Sequence, residues 1–227
     1  MNIRPKSMTT NLLANQLFGV PQVEHDDDPE PNPEGMVIGY NGRRRQGKSE
    51  SMVAVAKLIK DYFGYPVLAN FRLEFATGID SERDSLRSGR FTLDEIMDFP
   101  EELEDCVICW DEIDRIFLGK RSTSTVSEFL ENGLTQIGKR NIWLLWACQN
   151  TRRLNRDLVF QTDVLIECST YDRGQTVMWD MEDVNGAWAD PGTRVRKIFT
   201  TAGRVQGMYD TREYFDPLER KRVKWSL

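Results

Sequence analysis

The stretch Gly42-Arg43-Arg44-Arg45-Gln46-Gly47-Lys48-Ser49 constrains this chain more than any other. It has the spacing G-x-x-x-x-G-K-[ST]. The apolar run Met36-Val37-Ile38-Gly39-Tyr40 leads into it with strand character, and Ser51-Met52-Val53-Ala54-Val55-Ala56-Lys57-Leu58-Ile59 leads out with a helical pattern. Residue frequencies alone give such a spacing in about one chain in a hundred of this length. The flanks decide the matter, because a strand before and a helix after let the loop's backbone N–H groups converge on a phosphate at the helix N-terminus. On that reading Gly42, Arg43, Arg44, Arg45, Gln46, Gly47, Lys48, Ser49 and Glu50 line a nucleotide site. Lys48 reaches the β- and γ-phosphates and Ser49 holds Mg²⁺, so ATP and Mg²⁺ are the expected cofactors. An ordinary glycine-rich turn would leave the Lys-Ser pair unexplained.

The pattern along the chain implies the sheet around this loop. Strands are expected over 36–41 and 65–70, with a helix over 48–62 that ends near Gly64. A loop is expected over 72–90 and a short helix from 91, with Thr92 as N-cap and Glu95 in capping-box position. Cys106-Val107-Ile108-Cys109-Trp110, residues 141–148 and Val164-Leu165-Ile166-Glu167-Cys168 are apolar runs of strand length. Continuous rather than alternating hydrophobicity marks parallel strands covered on both faces. A helix over 124–138 carries Phe129 and Leu134 on its apolar side. Tyr171-Asp172-Arg173-Gly174 reads as a turn into a strand over 175–179, and a second hairpin is expected to run through 196–199 and 201–204 to 205–209. The fold class is therefore α/β, a parallel sheet flanked by helices, with a C-terminal part rich in β-hairpins.

Two further sites lie at the ends of these strands. Asp111-Glu112 follows the 106–110 run. An acid at the carboxyl end of a buried parallel strand faces the ligand crevice, where it needs a partner. Asp111 suits a Mg²⁺ holder and Glu112 a general base for the attacking water, which points to hydrolysis rather than transfer to an acceptor. Two surface acids at a helix start, with Asp111 as its N-cap, are the plainer alternative. Gln149 ends the 141–148 strand and suits a sensor of the γ-phosphate or the water. Gly138-Lys139-Arg140-Asn141, just before that strand, offers a cation to a neighbouring subunit's nucleotide or, equally, positive charge to a helix C-terminus. Asn70 ends the second strand, either as a crevice residue or as a strand cap.

Composition excludes several classes. The 227 residues are 40% hydrophobic and 29% charged, ordinary for a globular chain long enough to bury a full core. No apolar run approaches the roughly 20 residues that span a bilayer, and no signal peptide is evident, so a cytoplasmic protein without its own transmembrane segment is expected. One His leaves no zinc set. Cys106 and Cys109 read as C-x-x-C, but three residues apart on a strand they point to opposite faces. All four cysteines are expected to be buried small hydrophobes. The net charge of −6 is uneven, since residues 1–34 form an acidic, Pro-broken lead while the remainder, 35–227, forms the ATPase domain. Basic clusters at Arg43–Arg45, Lys139-Arg140, Arg152-Arg153 and the C-terminal tail make a DNA-contacting surface only if they gather in space.

These motifs together resemble the FtsK–HerA superfamily of P-loop ATPases, and within it the viral genome-packaging branch and its Zot-like relatives. The matching segments are Trp110-Asp111-Glu112-Ile113-Asp114, Lys120-Arg121-Ser122, Gln136-Ile137-Gly138-Lys139-Arg140-Asn141, Ala147-Cys148-Gln149-Asn150, Asp163–Cys168 and Met208-Tyr209-Asp210-Thr211. The resemblance implies a P-loop NTPase sheet of RecA-like (ASCE) type, in a homo-oligomeric ring that uses ATP hydrolysis to drive double-stranded DNA into a preformed capsid, with capsid vertex proteins as partners and the host cytoplasm or the virion as location. It assigns Lys48 and Ser49 to phosphate and Mg²⁺, Asp111 to Mg²⁺, Glu112 to the base, Gln149 to the sensor and Arg140 to the finger acting in trans. Lys139, Arg121 and Arg152 are the alternative fingers. A Zot-like morphogenesis ATPase, a P-loop kinase and a nucleotide-gated adaptor without turnover are the competing readings. Phosphate release, phosphorylated acceptors and the effect of Glu112→Gln separate them.

Overall fold

The computed structural model describes residues 35–71, 73–75, 103–115, 117, 133–171, 176–185, 192–200 and 208. In chain order the elements are β1 (Val37–Asn41), α1 (Lys48–Phe63), β2 (Val67–Ala69), β3 (Val107–Trp110), α2 (Leu134–Lys139), β4 (Trp143–Cys148), α3 (Arg156–Phe160), β5 (Val164–Tyr171), β6 (Thr176–Asp183) and β7 (Arg194–Thr200). The acidic lead, the helix expected from 91, most of the helix expected over 124–138, Arg121 and the basic tail fall outside the described residues.

The seven strands form one sheet in the order β2-β3-β4-β1-β5-β6-β7. The first five of these run parallel, and β6 and β7 add antiparallel ladders. β4 is inserted between β1 and β3, so the two strands that carry the phosphate loop and Asp111 are one strand apart. The hairpins therefore extend the parallel sheet rather than forming a separate β unit.

Two apolar clusters sandwich the parallel part. On one face α1 packs Met52, Val53, Val55 and Ile59 against Ile38, Tyr40, Val107, Cys109 and Leu145. On the other, Ile113, Phe117, Leu134, Ile137 and Leu158 cover Val37, Ile108, Trp110, Leu144 and Trp146. Successive β4 residues alternate between these clusters, so all six are buried. This double coverage is the physical reason the strand reads as an unbroken apolar run. Cys106 and Cys109 fall in opposite clusters, and all four cysteines are free and buried. Burial pushes the Cys106, Cys148 and Cys168 thiols up to about 12 and that of Cys109 higher still, so they serve as small hydrophobes.

β6 runs to Asp183, beyond the expected end at Trp179. Val177, Trp179, Met181 and Asp183 are buried while the intervening residues are partly exposed, and the acids Asp180 and Glu182 broke the apolar run without breaking the strand. Met208, expected in a return strand beside β7, instead accepts the Glu74 N–H just beyond β2 and packs on the cluster under α1. A backbone donor at the sheet margin needs an acceptor, and Met208 supplies it while partly burying its side chain.

Candidate active site

The phosphate loop occupies the carboxyl end of β1 and opens α1. Gly47 is the helix N-cap at φ 77°, with no side-chain cap, so the first N–H groups of a 16-residue helix face outward from the loop. The space around Gly47 also demands glycine: a Cβ there would lie 2.3 Å from Val177 Cγ2. Gly42 has φ 153°, and a Cβ on it would lie 2.6 Å from the Cys168 carbonyl oxygen. Within the loop, the Arg43 N–H donates to Gln46 Oε1 at 2.8 Å and Lys48 Nζ donates to the Arg43 carbonyl at 3.0 Å. Lys48 is buried to 9% exposure, so its stem is packed while its ammonium stays at the loop. The Arg43, Arg44 and Arg45 side chains are exposed, and Arg45 adopts φ 61°. The loop thus uses the backbone of its arginines and turns their charge outward.

Ser49 and Asp111 meet across 62 residues of sequence, with Ser49 Oγ donating to Asp111 Oδ2 at 2.5 Å. This is the pair of oxygens a Mg²⁺ beside bound phosphates would take, and together with the uncapped helix terminus and Lys48 it fits a Mg²⁺–nucleotide. Asp111 Oδ1 accepts the Glu112 N–H at 2.8 Å. Desolvation raises the Asp111 carboxyl above its ordinary value, and the Ser49 hydroxyl, the Glu112 N–H and the Lys48 charge work against that shift.

Asn70 explains how Asp111 is held. It is 3% exposed. Its Nδ2 donates to the Asp111 carbonyl at 3.0 Å and its Oδ1 accepts the Asp111 N–H at 2.9 Å. The side-chain amide mimics a peptide and extends the β2–β3 ladder one rung past Ala69 and Cys109. Of the two alternatives for Asn70, the structure shows the strand cap: its amide engages the backbone of Asp111, the residue that carries the crevice carboxylate.

Glu112 follows at φ 51°, and its carboxylate pairs with Arg115 Nε at 2.7 Å. Desolvation raises its carboxyl; Arg115, and more weakly Arg44, oppose this, while Asp111 and Asp114 reinforce it. Arg115 was not singled out in the sequence, where a lone arginine after an acidic cluster carries no signal. Gln149, at the end of β4, lines a cleft of about 560 Å³ with Gly42, Arg43, Gln46, Arg152 and Glu167. Arg152, one of the alternative fingers, lines this same cleft, and its own N–H donates to Asn150 Oδ1 at 3.0 Å.

Arg140 lies at the opposite end of the sheet. Its N–H caps α2 through the Gln136 carbonyl at 2.9 Å, and all six residues of β4 separate it from Gln149, about 20 Å at strand rise. The loop between β1 and α1 of the same chain is out of its reach, which leaves a role in trans or at the helix end. Asn141 next to it adopts φ 57° and donates to Tyr65 Oη and Asp105 Oδ1, so this asparagine of the Lys-Arg-Asn step ends a helix in the left-handed conformation that asparagine tolerates.

Solved structures share this architecture. The N-terminal domain of zonular occludens toxin from Neisseria meningitidis aligns with a TM-score of 0.54 at 14% identity, over 78% of this chain and 100% of that one. The genome packaging NTPase B204 from Sulfolobus turreted icosahedral virus 2, in complex with ATP-gammaS, aligns with a TM-score of 0.51 at 15% identity, over 75% of this chain and 98% of that one. No family model matches the sequence, and no curated protein matches it. The chain has the mostly parallel α/β sheet, flanked by helices, of P-loop NTPases, and shares its fold with a Zot domain and a viral packaging NTPase, the two groups its motifs resemble.

Proposed function

We propose that this protein is an ATPase that moves double-stranded DNA into a viral capsid as a homo-oligomeric ring, acting in the host cytoplasm or at the virion. The observation that carries the hydrolytic part is the 2.5 Å contact between Ser49 and Asp111 at the mouth of an uncapped helix N-terminus. In this reading Lys48 and the loop N–H groups hold the phosphates, and Ser49 and Asp111 hold Mg²⁺, which neutralises charge on the β- and γ-phosphates. Glu112 accepts a proton from the attacking water once its carboxylate leaves Arg115, and Gln149 orients that water or the γ-phosphate. Arg140 completes the site of an adjacent subunit, since a chain cannot bring it to its own nucleotide. The DNA-moving part is supported by the fold shared with a genome packaging NTPase. The likeness to the Zot domain favours a second reading, a morphogenesis ATPase acting on single-stranded DNA.

The test is phosphate release from ATP with duplex DNA, single-stranded DNA or none. Stimulation by duplex is expected, and stimulation by single strands alone would transfer the assignment to the second reading. Mixing two inactive variants, Arg140→Ala and Glu112→Gln, tests the finger. A mixed interface pairs an intact Glu112 with an intact Arg140 when the Arg140→Ala subunit holds the nucleotide and the Glu112→Gln subunit supplies the finger, so partial recovery of turnover is expected, and no recovery would remove Arg140 from the site.

A further inference from the structure

Ser51 lies one turn inside α1, fully buried, with hydrogen bonds on both sides of its hydroxyl. Ser51 Oγ donates to the Gly47 carbonyl at 2.7 Å and accepts the Trp179 indole N–H at 2.8 Å. The Ser51 backbone N–H donates to the same Gly47 carbonyl at 2.8 Å. Trp179 sits on β6, 128 residues away, and is also fully buried. An indole N–H can only donate, so it occupies the acceptor side of Ser51 Oγ and leaves the hydroxyl proton directed at Gly47.

The geometry has a consequence for the loop. In a trans peptide the C=O and the following N–H point in opposite directions. Two donors fix the Gly47 carbonyl into the helix, so the Lys48 N–H of the same peptide unit is turned out of the helix terminus, toward the phosphate position. Val177, two residues before Trp179 on the same face of β6, braces Gly47 from the side. A serine bonding back to the carbonyl four residues earlier weakens a helix slightly, and here the same hydroxyl accepts a buried indole N–H, which alanine could not do. The hydroxyl thus joins a tryptophan of the antiparallel part of the sheet to the Gly47 carbonyl at the start of α1.

We propose that Ser51 and Trp179 are positioning residues for phosphate binding: the relay from indole N–H to hydroxyl to Gly47 carbonyl holds the Gly47–Lys48 peptide in its anion-binding orientation. This rests on the nucleotide reading above. The test measures ATP and ADP affinity and steady-state hydrolysis for Ser51→Ala, Trp179→Phe and the double variant in the full chain, with thermal melts recorded without nucleotide. Each single change is expected to weaken both nucleotides about three- to tenfold, the scale of one hydrogen bond. KM should rise while kcat changes less than about twofold, and the double variant should bind no more weakly than Ser51→Ala, as expected of one relay. Wild-type affinity in Trp179→Phe, or losses that add in the double variant, would overturn the inference alone. A wild-type chain that binds no ATP would overturn the nucleotide reading with it. Should Trp179→Phe fail to fold, hydrogen exchange of the Lys48 amide in Ser51→Ala decides: faster exchange supports the relay and an unchanged rate overturns it.

Discussion

The two halves of the sheet follow opposite rules. In β3 and β4 every residue is buried, because helices or turns cover both faces. In β6 and β7 burial alternates: Val177, Trp179 and Met181 face the α1 cluster, while Asp180 and Glu182 face outward and pair with Arg196 at 3.0 Å and Arg194 at 2.5 Å. A strand covered on both faces can present a polar group only where it ends. This is why Asp111, Glu112 and Gln149 all stand at carboxyl ends and why the candidate chemistry collects there. A strand with one open face carries charge along its whole length and meets the site from the side, as Val177 and Trp179 do.

The largest expected effect tests the chemical half. Glu112→Gln should lower phosphate release by a factor of about 10² to 10⁴, the usual contribution of a general base, while ATP affinity stays within about twofold. Retained turnover would move the base away from the end of β3 and break the contrast. Asn70→Ala comes next. It removes both clamps on the Asp111 backbone, and the unpaired N–H and C=O should cost about 1–3 kcal/mol in urea unfolding, with a roughly tenfold higher Mg²⁺ requirement for hydrolysis. A stability loss with an unchanged Mg²⁺ requirement would reduce Asn70 to a strand-end clamp.

On the antiparallel half the effects should be smaller. Arg194→Ala or Arg196→Ala removes a partly exposed cross-strand pair and should cost less than about 1 kcal/mol each, with hydrolysis unchanged. A larger loss in urea would show that the open face carries more of the fold than its exposure suggests. The smallest effect returns to the core between the halves. Tyr40 Oη is buried with no hydrogen-bond partner among the described residues, and burial holds its phenol well above the usual pKa. Tyr40→Phe should therefore leave stability unchanged or raise it by up to about 1 kcal/mol, read as an equal or higher melting temperature.

The same contrast governs what could be read in advance. The strand–loop–helix unit is legible because its glycines, lysine and serine are nearly contiguous and each answers a local demand: Gly47 at positive φ, Lys48 and Ser49 at a helix start. Strands β3 and β4 were legible because double burial leaves an uninterrupted apolar run. The outward acids of β6 interrupt its apolar run, so the pattern ends that strand too early, and local turn signals do not say which edge Met208 rejoins. The sequence leaves Asn70 open, since its partner is the backbone of a residue 41 positions away. Arg115, Ser51 and Trp179 gave no signal, because each takes its meaning from a neighbour the sequence does not place beside it.

Read alone, the sequence places a G-x-x-x-x-G-K-S loop between a strand and a helix, buries the central strands on both faces, and sets acids and a glutamine where those strands end. These follow from hydrophobic period and from backbone demands met within a few residues. Folding of the whole chain is what brings β4 between β1 and β3, Ser49 to Asp111, Asn70 to the Asp111 backbone, and a tryptophan of the antiparallel half to the first turn of α1. Those contacts depend on which strands become neighbours, and that order is set by how both faces of the whole sheet are covered at once.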